Sequence, residues 1–241
     1  METYSDTNMT KPEDKLVAIS GLAKEVRKNT VDFFGAGVWR RYLMNQLLWR
    51  VQTSQAYEVI SYRASSWSWA SVDGKVTFIA RMVIENYPEI TVSNFRTFGV
   101  ESTPWSFGQI SYGSMRVHGT LKTTQRCESL YRGYRLLLAD QLEELENNMF
   151  TYGEYYPDVI LNPLPETPIC LPIMSYVKGR CVIEKKKENR GKCLLTGLVI
   201  VSTGDFYDEY RRIGIFSPSN PAGRTWFEDR GQQDLRDITL I

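Results

Sequence analysis

His118 is the one imidazole in 241 residues, so any Ser-His or Cys-His nucleophile would have to be built on it. It falls in Tyr112-Gly113-Ser114-Met115-Arg116-Val117-His118-Gly119. Alternation there puts Met115 and Val117 on one face and Arg116 and His118 on the other. That is a strand histidine on the solvent side, and no Gly-x-Ser-x-Gly elbow accompanies it. A single His also excludes zinc centres and iron triads that need two. Asp205, Asp208 and Glu209 cluster with Tyr207 and Tyr210 just before Arg211 and Arg212. Such acids do glycosidase chemistry when held about 5–9 Å apart, but Thr203-Gly204-Asp205 beside Arg211 and Arg212 reads as a solvated turn. Catalysis finds no constellation here, and an enzyme is not expected.

The remaining candidates are weaker still. Gly35-Ala36-Gly37 lacks the third glycine, the preceding strand and the Lys-Ser/Thr pair of phosphate loops, so it reads as a connection between helices. Lys185-Lys186-Lys187, with Arg190 and Lys192, is offset by Glu184 and Glu188 and reads as a hairpin loop. Cys127, Cys170, Cys181 and Cys193 contain no Cys-x-x-Cys pair and read as free thiols without zinc. No metal and no cofactor is expected. Aromatics carry more weight, with six Trp and fourteen Tyr in the chain. Trp39, Trp49, Trp67 and Trp69 are the candidate interaction or structural aromatics. Trp67 and Trp69, two apart on a predicted strand, would share one face, either as a core pillar or, with Trp105, as a stacking platform for a sugar.

The elements that must position these side chains change character along the chain. Thr10-Lys11-Pro12-Glu13 has the form of a capping box. Leu16, Ile19, Leu22, Ala23 and Val26 then recur at helical spacing, with Lys24, Arg27 and Lys28 toward the favourable C-terminal end. A second helix is predicted through Trp39, Leu43 and Leu47. Near Ser61 the period becomes alternating. Trp67–Ser71 and Lys75–Ala80 flank Asp73-Gly74, a strong hairpin signal. Further strands are predicted at Ile90–Val92, Gln109–His118, Pro168–Val177, Arg180–Lys185, Cys193–Ser202, Tyr210–Phe216 and Asp237–Ile241. Leu138, Leu142 and Leu145 among Glu143, Glu144 and Glu146 predict a helix over Tyr134–Met149. It lies in an acidic, later proline-rich insertion over 134–168.

The fold class expected is therefore α+β: N-terminal amphipathic helices packed on a β-rich antiparallel sandwich or barrel-like body. Residues 1–58 form the helical segment and 59–241 the β-rich domain. Lys plus Arg number 29 against 28 Asp plus Glu, a net charge of +1, which gives no reason to expect a nucleic-acid partner. No apolar run approaches the roughly 20 residues that span a bilayer, and the polar start lacks a signal-peptide core, so a cytoplasmic chain without membrane contact is expected.

Three segments together resemble fungal heterokaryon incompatibility (HET) domain proteins, in the region that follows the HET domain itself. They are Asp14-Lys15-Leu16-Val17-Ala18-Ile19-Ser20-Gly21-Leu22-Ala23; Ala36-Gly37-Val38-Trp39-Arg40-Arg41-Tyr42 with Gln46-Leu47-Leu48-Trp49; and Tyr62-Arg63-Ala64-Ser65-Ser66-Trp67-Ser68-Trp69-Ala70-Ser71-Val72-Asp73-Gly74. Fainter similarity runs through Phe107-Gly108-Gln109, Tyr155-Tyr156-Pro157-Asp158, Tyr210–Phe216 and Ile238–Ile241. The family's named domain, with its aromatic-rich motif and distant likeness to TIR folds, would lie upstream of Met1. The resemblance thus implies a truncated product or stand-alone tail and transfers no catalytic position. It implies an accessory or regulatory protein-interaction region in fungal non-self recognition and cell-death signalling, with a protein partner. The alternative is a carbohydrate- or small-ligand-binding β module using surface Trp residues.

Overall fold

The computed structural model of the chain describes residues 2–7, 9–52, 61–79, 86–100, 107–124, 126–130, 133–137, 152–159, 165–177, 193–218, 226–227, 231 and 234–241. Three α-helices occur among them: α1 (Glu2–Ser5), α2 (Lys15–Thr30) and α3 (Leu43–Leu47). Four short strands belong to this N-terminal layer: β1 (Phe34–Gly35), β2 (Val38–Trp39), β3 (Trp49–Val51) and β4 (Val76–Phe78). The main sheet follows with β5 (Asn86–Pro88), β6 (Thr91–Gly99), β7 (Ile110–Thr120), β8 (Lys122–Thr123), β9 (Arg126–Leu130), β10 (Gly133–Leu137) and β11 (Tyr152–Pro157). It is completed by β12 (Ile169–Val177), β13 (Cys193–Ser202), β14 (Glu209–Pro218) and β15 (Leu235–Leu240).

The sheet closes on itself. β12 pairs β13, β13 pairs β14, and the first residues of β14 run parallel to β15. β15 pairs β7, and β8, one residue further along the chain from β7, returns to β12. That ring is a small barrel; β6 pairs the edge of β7 away from β15, and β5 just before it pairs β12. The far end of β14 leaves the ring to pair β11, which carries β10 and β9 outward. Strands β12 to β14 are therefore covered on both faces, which is why they read as continuous apolar runs rather than alternating ones. Leu171, Ile173, Leu198, Ile200 and Ile215 face one core. Cys170, Leu195, Val199, Ile213 and Phe216 face a second, roofed by Leu136, Tyr155 and Phe227. The β-rich body and its N-terminal helical layer match the expected class.

Several local expectations give way. No side chain caps the start of α2, and Pro12–Asp14 forms a 3-10 turn instead of the capping-box geometry. Only the first half of α2 is packed: Lys15, Leu16, Ile19 and Ala23 are buried. The second helix shortens to a 3-10 turn plus the five residues of α3. Val38 and Trp39 are instead drawn into a hairpin with Phe34 and Gly35. Gly35-Ala36-Gly37 is thus no helix connection but a two-residue hairpin turn, with Ala36 at φ +51° and Gly37 at φ +84°. Trp67–Ser71 is not a strand. Ser68 Oγ accepts from the Ala70 N–H and starts a 3-10 turn over Trp69–Ser71. Asp73-Gly74 accordingly turns into β4, whose partner is β3. The helix predicted from Tyr134 is overridden at its start, where Gly133–Leu137 is strand β10, buried through Leu136. The rest of it, and the Lys185–Lys192 run, fall outside the described residues. Among the described residues no helix is long and apolar enough to cross a membrane.

Candidate functional site

The four tryptophans singled out from the sequence are pillars of the N-terminal layer. Trp49, Trp67 and Trp69 have 0% exposure, and Trp39 is half-buried against Phe34, ring to ring 4.8 Å. Trp67 and Trp69 do not share one partner face. Trp67 meets Phe95 of β6 at 5.4 Å, whereas Trp69 meets Tyr4 of α1 at 5.9 Å, edge-on. Their polar edges hold backbone: Trp49 Nε1 donates to Trp67 O at 3.0 Å and Trp69 Nε1 to Gly37 O at 2.8 Å. Ser68 Oγ donates to Ala36 O at 2.5 Å. Rings without surface cannot stack on a sugar, so the ligand platform fails for Trp67 and Trp69; Trp105 lies outside the described residues.

Three buried cations, in two groups, complete this layer. Arg212 of β14 has a fully buried side chain and grips Asp158 with both ends of its fork, Nε to Oδ2 at 2.7 Å and Nη2 to Oδ1 at 2.8 Å. Its remaining donors reach Leu47 O and Trp49 O, each at 2.6 Å, and its guanidinium lies 3.5 Å from the Trp49 ring centroid. A delocalised, weakly hydrated fork is the cation suited to such a place. Burial raises the Asp158 carboxyl above its ordinary range while Arg212 pulls it down. The Arg212 N–H donates to Ser66 Oγ at 2.9 Å, and Ser66 Oγ in turn donates to Ile241 O. One residue thus ties α3, β3, β14 and the end of β15 together.

Lys15 and Arg63 form the second cationic group. Lys15, 5% exposed, donates to Val72 O at 2.7 Å and sits 5.3 Å from the Trp69 ring centroid. Arg63, also 5% exposed, donates from Nε to Ala70 O at 2.6 Å and from Nη1 to Pro12 O at 3.0 Å. Its Nη2 lies 2.9 Å from Asp73 Oδ1, yet that nitrogen makes no well-directed hydrogen bond among the described residues. Burial, then the neighbouring Arg63 charge, lowers the Lys15 ammonium from 10.5 to about 8, against the opposing pull of Asp73. Both side chains line a cavity of about 540 Å³ beneath α1, which Lys75 and Asp6 close at the rim with an ion pair of 3.0 Å.

The other sequence candidates are scattered. His118 Nδ1 lies 3.3 Å from Asp237 Oδ1 on the outer face of β7 and β15, both side chains about half exposed. Asp205, Asp208 and Glu209 lie on or beside a turn carrying the exposed Phe206 and Tyr207, where Thr203 Oγ1 donates to Glu209 Oε1 at 3.0 Å and Asp208 reaches Arg116 at 3.9 Å. An open turn of this kind does not confront two carboxylates across a cleft. Neither Cys127 nor Cys170 is in a disulfide; Cys170 lies in the second core with Cys127 packed against it, and burial pushes the Cys170 thiol well above its ordinary value. Among the described residues no three or more His, Cys, Asp or Glu gather in a way that could hold a metal ion.

Sequence reasoning missed Lys15, Arg63, Asp158 and Arg212 as buried charged positions. The available signal was a charged residue inside an otherwise apolar face: Lys15 beside Leu16 and Ile19, Arg212 between Tyr210 and Ile213. Comparison of the chain with known protein families, with characterised proteins and with solved structures finds no significant match.

Proposed function

We propose that this chain is the C-terminal accessory region of a heterokaryon-incompatibility-type protein, acting in fungal non-self recognition and cell-death signalling by binding protein rather than by catalysis. The carrying observation is the outer half of α2. Leu22 is 66% and Val26 38% exposed, four residues apart on a helix whose earlier turns bury Ile19 and Ala23. An apolar stripe that runs on past its own core needs a covering surface. The covering surface in this reading is a HET-type effector domain joined on the N-terminal side, next to α1 and α2.

Two further features support the reading. The segments that resemble the family meet in space: Lys15 reaches Val72, Trp69 reaches Gly37, Trp49 reaches Trp67, and Arg212 joins Asp158 to Ser66. Segments far apart in sequence are therefore bound into one layer, as a family-wide scaffold requires. Neither Cys127 nor Cys170 is in a disulfide, which suits a reducing cytoplasm.

The test is expression in fungal cells of a HET domain alone, this chain alone, and the two fused. The reading expects this chain to be inert alone, to co-purify with the HET domain, and to alter the death it causes. Leu22→Glu with Val26→Glu abolishes co-purification without lowering the melting temperature. Death caused by this chain alone overturns the accessory role, and binding that survives the double variant removes α2 as the docking face.

A further inference from the structure

The cavity beneath α1 is built on an imbalance of charge. Its wall carries Lys15 and Arg63, both buried, and they share one carboxylate, Asp73, whose side chain is 55% exposed. The rim adds the pair Lys75 and Asp6. Three cations thus face two carboxylates. Moving a cation out of water costs several kcal/mol, and here two lie side by side with one half-exposed carboxylate between them. The strain is visible in the hydrogen bonds. Arg63 Nη2 is buried without a well-directed acceptor, and Lys15 Nζ has a single acceptor, Val72 O, for its three N–H bonds among the described residues. Nearby polar groups do not fill the need. Tyr4 Oη donates to Lys15 O at 2.6 Å, Ser5 Oγ accepts from the Val76 N–H at 2.9 Å, and Pro12 O is taken by Arg63 Nη1.

From this juxtaposition we infer that the cavity is a binding site for a small ligand bearing a phosphate or carboxylate group, its oxygens accepting from Lys15 Nζ and Arg63 Nη2. Two acceptor oxygens on one planar or tetrahedral centre match a guanidinium edge beside an ammonium. A volume of about 540 Å³ lies within the range of small-molecule sites and leaves room for a body behind the anionic group. Tyr4 and Met9 supply the apolar wall for that body. Lys75, at the mouth, adds a positive charge that steers an anion inward. The site lies beneath α1 with Lys15 at the start of α2, whereas the exposed Leu22 and Val26 lie on later turns of that helix.

The test is titration of the full chain at pH 7 and low salt with inorganic pyrophosphate and, in parallel, succinate, followed by calorimetry and by melting temperature. Saturable binding of either anion at one site supports the inference, and the better binder tells phosphate from carboxylate. Lys15→Met abolishes the binding. Lys75→Glu, which gives up only a half-exposed rim pair with Asp6 and so leaves the chain folded, weakens it about tenfold and keeps the test decisive where Lys15→Met fails to fold. Acetylation of Lys15, read by mass spectrometry, slows when the anion is present. Absence of binding by both anions overturns the inference. So does binding that neither variant affects, because the anion then sits elsewhere.

Discussion

Asp158→Ala removes one half of a pair that has no access to water. The side chain of Asp158 is 6% and that of Arg212 0% exposed, and the two bonds between them measure 2.7 and 2.8 Å. The substitution leaves a guanidinium buried with only the Leu47 and Trp49 carbonyls and the Trp49 ring as partners. Breaking a buried pair from one side costs about 3–5 kcal/mol, a large share of the roughly 5–15 kcal/mol that holds a domain folded. Removing both charges by Asp158→Leu with Arg212→Met deletes the unpaired cation, so its cost stays well below the sum of the single losses. Two carbonyls remain without donors, each costing about 1–3 kcal/mol. Urea unfolding at pH 7, followed by circular dichroism and tryptophan fluorescence, measures all three. The loss in Asp158→Ala persists in about 1 M salt, because ions screen exposed pairs far more than buried ones. A single-variant loss under about 1 kcal/mol, or strictly additive losses, refutes the claim that Arg212 knots the layer to the barrel.

Three other perturbations test other parts of the argument. Lys15 titrates at about 8 in the folded chain against 10.5 ordinarily, so folding carries the full cost of its charge below pH 8 and sheds it as pH rises toward 10.5. Relative to Lys15→Met, the unfolding free energy of the native chain should climb by up to about 3 kcal/mol across that window, and parallel pH curves would show Lys15 to be unstrained. Val31 ends α2 at φ +50° while 94% exposed; Val31→Gly should add about 1 kcal/mol in urea unfolding, since no packing is lost and the left-handed strain is relieved. Gly37→Ala puts a methyl group 2.7 Å from Trp69 Nε1 at φ +84° and should lower stability by at least about 2 kcal/mol, with a matching change in near-ultraviolet dichroism of the Trp69 environment.

The barrel strands were the most legible part of the sequence. Cys193–Ser202 is strand β13 end to end, and Gln109–His118 and Pro168–Val177 differ from β7 and β12 by one or two residues. Long apolar strands declare themselves because burial on two faces leaves no other role for so many β-branched side chains. The N-terminal layer was misread for the opposite reason. Trp39, Leu43 and Leu47 are spaced for a helix, but the pull of Ala36-Gly37 into a hairpin shortens it. Trp67-Ser68-Trp69 alternates like a strand, yet Ser68 Oγ caps a 3-10 turn and the two rings diverge. Such local polar bonds override periodicity without leaving a periodic trace. The buried cations were hidden in the same way: an Arg in a strand looks solvent-facing until tertiary pairing brings Asp158 from 54 positions away.

The knot around Arg212 also sets an order of events for the growing chain. Its acceptors on the N-terminal side are 163 and 165 residues away, and Ser66 must find Ile241 across 175. Contacts of that span are slow to form, because the loop they close must be paid for before the bonds reward it. During synthesis the tryptophan layer emerges early and β15 emerges after every other described element. Trp49 therefore waits for its cation until β14 emerges, whereas Trp67 and Trp69 meet Phe95 and Tyr4 much earlier. A chaperone would be most useful in that interval.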